Sequence, residues 1–389
     1  MEMKTVKLKD LCLISSSKRI FRTEYVPTGI PFYRSKEIIQ RANGEILSEP
    51  LFISEERYNE IRNKYGVPKA GDILMTAVGT VGKVWIVDDT TFYFKDGNLA
   101  LLSNFDIKQI NPRYLYYKFL TSKCRNELIN LSLGAAQSAL TLDKLREFTI
   151  DIPNIYIQKE IASILSAYDD MIDNCKKQIA LLEEAAQRLY REWFVDLRFP
   201  GHETTPIGEN GLPEGWEYGT ISALGIFTRG RNMLTKDAHG GNVPVIAGGL
   251  TPSCFHDVPN TSSPVITVSG SGANAGFTAF FTSPVWASDC SFVDSNSSKD
   301  LFYIYCFLKS NPNILLSKQK GSAQPHVYAR DVNETQIIIP DQYKREAFSN
   351  IISKYFDKIG VLKNTLVHLL NARDMLLPRL ISGQIEINA

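Results

Sequence analysis

The sequence predicts an α+β protein in which two mixed, strand-rich domains are each followed by a long helix. The two helices are expected to pair as an antiparallel coiled coil about a pseudo-two-fold internal repeat. Three observations carry this reading. The chain of 389 residues matches itself when slid by 187 positions, with no gap across about sixty positions. Each copy of the repeat contains an apolar seam with a heptad rhythm. Each seam begins directly after an Ile-Pro step.

The repeat is read from specific pairs. Gly134-Ala135-Ala136-Gln137 falls on Gly321-Ser322-Ala323-Gln324, Pro153 on Pro340 and Tyr156 on Tyr343. Ile164, Ser166, Tyr168, Asp170, Ile172, Lys176 and Leu182 fall on Ile351, Ser353, Tyr355, Asp357, Ile359, Lys363 and Leu369.

Residues 1–153 form the first domain. Asp72-Ile73-Leu74-Met75-Thr76 and Val84-Trp85-Ile86-Val87 read as strands flanking the Gly79–Gly82 turn, and Pro112 to Leu120 reads as a helix started by Asn111. The first long helix occupies 154–198, with Asn154 as an N-cap after the extended Ile152-Pro153 step. Its seam is Ile161, Leu165, Tyr168, Ile172, Cys175, Ile179, Leu182, Ala186, Leu189 and Trp193, spaced alternately four and three. A seam averaging 3.5 residues is narrow and wants a helical partner. The alternative is two separate amphipathic helices, each lying on its own domain. As one helix, residues 155–194 span roughly 60 Å at ~1.5 Å per residue, longer than a small domain needs.

Residues 199–214, rich in Gly, Pro and Thr, read as a linker. The second domain, 215–340, repeats the strand pattern in Pro264–Val268 and Phe277–Phe281 around Gly270–Gly276, followed by a helix from Leu301 to Leu308 behind Ser298. The C-terminal helix, 341–380, is capped by Asp341. It carries the seam Phe348, Ile352, Tyr355, Ile359, Leu362, Leu366, Leu369, Leu376 and Leu380, with Arg373 interrupting it. Residues 381–389 are a tail. Two-fold symmetry between the halves makes the paired helices antiparallel, as in an isologous interface.

Composition narrows the function classes. No stretch approaches the ~18 continuous apolar residues of a membrane span, and the N-terminus lacks an apolar signal region. Six scattered cysteines fit reduced thiols and a cytoplasmic location. Net charge is +1; residues 1–153 carry 22 Lys+Arg against 18 Asp+Glu, and residues 199–340 carry 8 against 11. Neither domain has the strongly basic footprint of a protein that holds DNA by phosphate contacts alone.

Several strings suggest catalysis and fail on inspection. Asn111-Pro112-Arg113-Tyr114 is loosely like an adenine-methyltransferase loop, but Arg stands at the third position and the repeat copy lacks the string. Ser269-Gly270-Ser271-Gly272-Ala273-Asn274-Ala275-Gly276 lacks the Gly-Lys-Ser/Thr of a phosphate loop and reads as a turn between strands. Pro340-Asp341-Gln342-Tyr343-Lys344 is loosely nuclease-like, yet its copy Pro153-Asn154-Ile155-Tyr156-Ile157 has neither Asp nor Lys. Cys254 and His256 sit two apart without a second pair to complete a zinc site. The sequence therefore predicts no catalytic residues, no metal and no cofactor in this chain.

The order domain–helix–domain–helix, with particular strings, resembles the specificity-subunit family of type I restriction–modification enzymes. The strings are Gly71-Asp72-Ile73-Leu74-Met75 running into Gly79-Thr80-Val81-Gly82-Lys83-Val84, Ile161-Ala162-Ser163-Ile164-Leu165, Arg191-Glu192-Trp193-Phe194-Val195-Asp196, Gly211-Leu212-Pro213-Glu214-Gly215-Trp216 and Leu377-Pro378-Arg379-Leu380-Ile381-Ser382-Gly383. The resemblance covers nearly the whole chain. Ser-Gly-Ser-Gly-Ala-Asn replaces Gly-Thr-Val-Gly-Lys in the second domain, a departure from the pattern.

The resemblance implies two target-recognition domains reading a bipartite, asymmetric site on double-stranded DNA, with helices that set the spacer and dock partners. It implies methylation (M) subunits using S-adenosylmethionine and motor–nuclease (R) subunits using ATP and Mg2+, while this chain supplies the address. A coiled-coil adaptor tethering two protein-binding domains, or an orphan DNA-binding modulator, are the alternatives. Candidate DNA contacts are Lys18, Arg19, Arg22, Arg34, Lys36 and Lys83 in the first domain. In the second they are Arg229, Arg231, Lys236, Lys320, Tyr328 and Arg330. For each, a solvated surface charge is the competing reading.

Overall fold

The computed structural model describes all residues except 1, 46, 48, 134–138, 322–323 and 388–389. Most of the matched Gly-Ala-Ala-Gln and Gly-Ser-Ala-Gln strings thus lies outside the described residues. The chain divides into two compact units, Met1–Ile172 with His368–Ala389, and Asp173–Val367. Each unit takes one end of each long helix, whereas the sequence reading set the helices apart as separate segments.

The first unit runs β1 (Lys4–Lys7), β2 (Leu13–Ser15), β3 (Tyr25–Val26), β4 (Ile30–Tyr33), α1 (Ser35–Ala42), β5 (Leu51–Ile53) and α2 (Glu55–Tyr65). It continues through β6 (Ile73–Thr76), β7 (Val84–Ile86), β8 (Tyr93–Phe94), β9 (Leu99–Ser103), α3 (Pro112–Leu120), α4 (Ser122–Ser132), α5 (Leu142–Glu147) and β10 (Thr149–Ile152) into α6 (Ile155–Tyr190). The strands make three sheets, ordered β1-β10, β2-β9-β6-β7 and β3-β5-β4-β8. β6 and β9 are buried at every position, so they read as continuous apolar runs rather than alternating ones. The turn between β6 and β7 needs its glycines: Gly79 and Gly82 have φ of 77° and 78°, where a side chain would be strained.

The second unit runs β11 (Glu217–Thr220), β12 (Thr228–Arg229), β13 (Val243–Ile246), β14 (Cys254–His256), β15 (Val265–Ser269), β16 (Thr278–Phe281), β17 (Trp286–Ala287) and β18 (Cys290–Asp294). Then come α7 (Leu301–Ser310), α8 (Pro312–Leu316), α9 (Ala329–Asn333), β19 (Gln336–Ile339) and α10 (Gln342–Ser382). Its sheets are β11-β19, β12-β18-β15-β16 and β14-β13-β17. The strand order is that of the first unit, strand for strand, with counterparts of β3, α1 and α2 absent among the described residues. Even the parallel pairs agree: β4 with β8, and β13 with β17.

Both long helices start where an Asn or Asp side chain satisfies a free backbone N–H. Asn154 Oδ1 accepts from Ile157 N at 3.0 Å, and Asp341 Oδ1 accepts from Lys344 N at 3.0 Å. The first helix is shorter than the 154–198 read from sequence, since a π-helical turn, Arg191–Val195, ends it. That turn buries Trp193 and Phe194 among Tyr303 and Phe348. The second helix passes through Pro378 and reaches Ser382. Ser298 is not the cap of α7. Its hydroxyl accepts from Asp300 N and donates to Leu224 O, and Asp300 precedes the first helical residue. The 199–214 segment is packed rather than loose, because Phe199 and Leu212 are buried in the second unit's core and Lys344 Nζ donates to Pro200 O.

No seam residue is exposed. In the first unit Ile161 and Leu165 are buried in one core with Leu380, and Leu376 packs against it. Tyr168, Leu369 and Arg373 are half-buried and Ile172 is buried. In the second unit Phe348, Ile352 and Ile359 are buried in a core with Ala186 and Trp193, against which Ile179, Leu182, Leu189 and Tyr355 pack. Cys175 and Leu362 are buried and Leu366 half-buried. Each fully buried Ile or Leu contributes roughly 1.5–3 kcal/mol. Arg373, which interrupts the rhythm, has a reason: its Nη1 meets Asp169 Oδ1 at 2.9 Å, and Tyr117 donates to the other Asp169 oxygen at 2.6 Å.

Candidate nucleic-acid interface

In the first unit the six candidate residues fall into three groups. Arg22 and Lys36 are exposed and Lys83 half-buried, and their side chains have no partner among the described residues. Lys18 and Arg19 are exposed but engaged: Lys18 Nζ lies 4.5 Å from the Tyr65 ring centre, and Arg19 Nε is 2.9 Å from Asp96. Arg34 differs. It grips Glu37, which is wholly buried, through Nη2 at 2.6 Å and Nε at 3.2 Å. The same carboxylate accepts from Arg34 N at 2.7 Å, closing the first turn of α1. Glu37 holds the Arg34 guanidinium more firmly protonated, and the pair reads as structure.

In the second unit a cleft of about 460 Å³ opens between the turn after β17, the loop after β15 and the segment before α9. Arg229, Asn232, Asp289, Gln324, His326 and Tyr328 line it. Two of these, Arg229 and Tyr328, are among the candidates from sequence. Arg229 Nη2 is 3.8 Å from Asp289 Oδ1, and Ser271 donates to the other oxygen of Asp289. Tyr328, half exposed, stacks on His326 with ring centres 5.9 Å apart and planes 8° from parallel. Lys320 stands beside it, 5.9 Å from the Tyr328 ring and paired with Asp331 at 2.6 Å.

The remaining three lie outside the cleft. Arg231 covers Trp286 at 6.0 Å, Lys236 is exposed in the turn Thr235–Asp237, and Arg330 pairs with Glu334 at 2.6 Å. Water screens so exposed a pair, which leaves the Arg330 head free to exchange its carboxylate for another anion.

Sequence reading missed Asn232, Asp289 and His326. Gln324 was flagged only as a repeat match. Asn and Gln match adenine's edge, Arg matches guanine, and an Asp oxygen can accept from cytosine N4. The two units share one Arg–Asp pairing at corresponding turns. Arg19 follows β2 and meets Asp96 in the turn between β8 and β9. Arg229, on β12, faces Asp289 in the turn between β17 and β18.

The cleft gathers amide, carboxylate, guanidinium, imidazole and phenol groups on one concave face. Burial pushes the thiols of Cys12, Cys124 and Cys290 up to about 12, so they stay protonated and inert. Among the described residues no helix is long and apolar enough to cross a membrane.

The family model for the type I restriction modification DNA specificity domain matches residues 1–184 and again 213–371. The chain is 26% identical to the type I restriction enzyme MjaIX specificity subunit of Methanocaldococcus jannaschii, over 94% of this chain and 88% of that one. It is 25% identical to the MjaVIII specificity subunit of the same organism, over 48% and 44%. The fold is similar to that of the type I restriction–modification S subunit from M. genitalium, with a TM-score of 0.65, 16% identity, and 97% and 96% of the two chains covered.

Proposed function

The chain belongs to the type I restriction–modification DNA specificity family, and we propose that it is the non-catalytic subunit that reads a bipartite, asymmetric DNA target for partner methylation and cleavage subunits. The observation that carries this is the pair of units with one strand order and different side chains, each holding most of one of the two family matches. Two copies of one scaffold displaying different chemistry suit two different half-sites. Residues 1–153 and 215–340 serve as the target-recognition domains. Arg22, Lys36, Lys83, Lys18 and Arg19 in one, and Arg229, Arg231, Lys236, Lys320, Tyr328 and Arg330 in the other, meet phosphates or base edges. Arg34 serves its own domain. With so little net positive charge, partner subunits share the electrostatic work.

Helices 154–198 and 341–380 form an antiparallel coiled coil in this reading. It is supported by their apolar seams: in one unit residues from the start of α6 share a core with residues from the end of α10, and in the other the reverse holds. The coil sets the spacer and presents outward faces to the methylation and motor–nuclease subunits. Those subunits bring S-adenosylmethionine, ATP and Mg2+, and the complex works in the cytoplasm.

Methylome sequencing of a host carrying this chain with its methylation partner tests the reading. The expected result is one adenine-modified motif of two unlike halves separated by a fixed, unread spacer. A single uninterrupted motif, or none above background, would contradict it. A four-residue insertion at Ala180 lengthens that arm by ~6 Å at ~1.5 Å per residue. At ~3.4 Å per base pair the spacer should then grow by one or two base pairs, with both half-sites unchanged.

A further inference from the structure

We propose that the second unit holds a transition-metal site, of the zinc type, built from His239, His256 and Asp257. One ligand atom from each lies within 4.8 Å of the others. His256 Nε2 is 3.2 Å from Asp257 Oδ1, and His239 Nδ1 is 3.5 Å from Asp257 Oδ2. Four-coordinate zinc with bonds of ~2.0–2.1 Å has neighbouring ligand atoms ~3.3 Å apart; each imidazole already stands at about that distance from one carboxylate oxygen, and a small side-chain movement gathers all three donors on one ion. Two imidazoles and a carboxylate are the donor set of zinc, cobalt and nickel rather than of magnesium or calcium.

The backbone explains why residues seventeen positions apart meet. Val243 on β13 is paired with His256 on β14, and the chain entering β13 doubles back over that strand. Gly240 and Gly241 have φ of 78° and 113°, and a Cβ on Gly241 would stand 2.7 Å from the His256 carbonyl oxygen. Only glycine lets the loop lie so close, and it is this approach that brings His239 over His256.

His256 is a fixed ligand: it is 5% exposed and Trp286 meets its ring edge-on at 5.1 Å. His239 and Asp257 are exposed, so the side of the cluster facing solvent is open to an ion and to water. Without metal, His256 Nδ1 accepts from the His239 backbone N–H at 3.2 Å, and Nε2 carries the ring proton toward Asp257. The ion takes the place of that proton. The proton moves to Nδ1, and the hydrogen bond from the His239 backbone N–H is given up. Cys254, two residues before His256 on the same strand, is not one of the three ligands.

The loop bound in this way carries Arg231 and Lys236, so the metal ties a candidate DNA-contacting segment to the sheet beneath it. The site itself is tested without DNA, and its failure leaves the proposed function standing. Calorimetry of Zn2+ into the untagged full chain should show one saturable site, and Co2+ should give visible absorption of a four- or five-coordinate ion. His239→Ala and Asp257→Ala, both at exposed positions, should each weaken Zn2+ binding at least ~10-fold, the scale on which metal-site changes act. Cys254→Ser should leave the Co2+ spectrum and affinity unchanged. Absence of saturable binding, equal affinity in the His239 and Asp257 variants, or loss of binding in Cys254→Ser would each overturn the assignment.

Discussion

The two units share a strand order and differ in what they hang on it. Between β4 and β6 the first unit inserts α1 and α2; between β13 and β15 the second has loops around β14 alone. The first is net basic, with 22 Lys+Arg against 18 Asp+Glu over residues 1–153, and the second net acidic, with 8 against 11 over residues 199–340. Yet the sheets β2-β9-β6-β7 and β12-β18-β15-β16 align, and each unit sets an Arg against an Asp at the same turn. The lesson is that the sheets are the frame and the connections carry the difference. That separation of duties suits the two-reader function proposed above.

The largest effects should come from the seams, where both units depend on the same packing. Ile161→Asp in the first unit and Ile352→Asp in the second each place a carboxylate where the native side chain is 0% exposed. Each should cost several kcal/mol, the scale for burying an unpaired charge. Chemical denaturation followed by circular dichroism would read the loss. A variant as stable as the parent would show that the buried seam is not what holds that unit.

Smaller effects should separate two arginines of the first unit that sequence alone ranks together. Arg34→Ala leaves Glu37 buried without its partner and should lower stability by roughly 3–5 kcal/mol, the cost of breaking a buried pair; the partial exposure of the Arg34 head, 35%, argues for the low end. Arg22→Ala should leave stability unchanged and weaken DNA binding by the assembled complex evenly across sequences, with the salt dependence reduced by about one phosphate contact. Thermal melts and salt titrations of affinity distinguish the two. If Arg34→Ala behaved like Arg22→Ala, the structural role given to Arg34 would fail.

What sequence made legible was local. Heptad spacing showed both long helices because burial repeats at the period of the backbone, and Asn154 and Asp341 marked their starts because capping needs only residues three apart. The cap of α7 was misread because Ser298 satisfies Leu224, far away in sequence. The cleft of the second unit was mostly hidden for the same reason. Asn232, Asp289 and His326 come together only through sheet pairing and the long connection to α9. The sequence ranks Arg34 among the candidate DNA contacts with Glu37 three residues on, but spacing alone does not reveal that Glu37 is buried.

In the proposed function each unit reads its own half of one target. The most direct test exchanges residues 1–153 for the equivalent domain of a relative with a different target and maps the methylome with the same partner subunits. One half of the modified motif should change to the donor's, while the other half and the spacer length stay as they were. If both halves changed together, or if the motif did not change at all, the two units would not be independent readers.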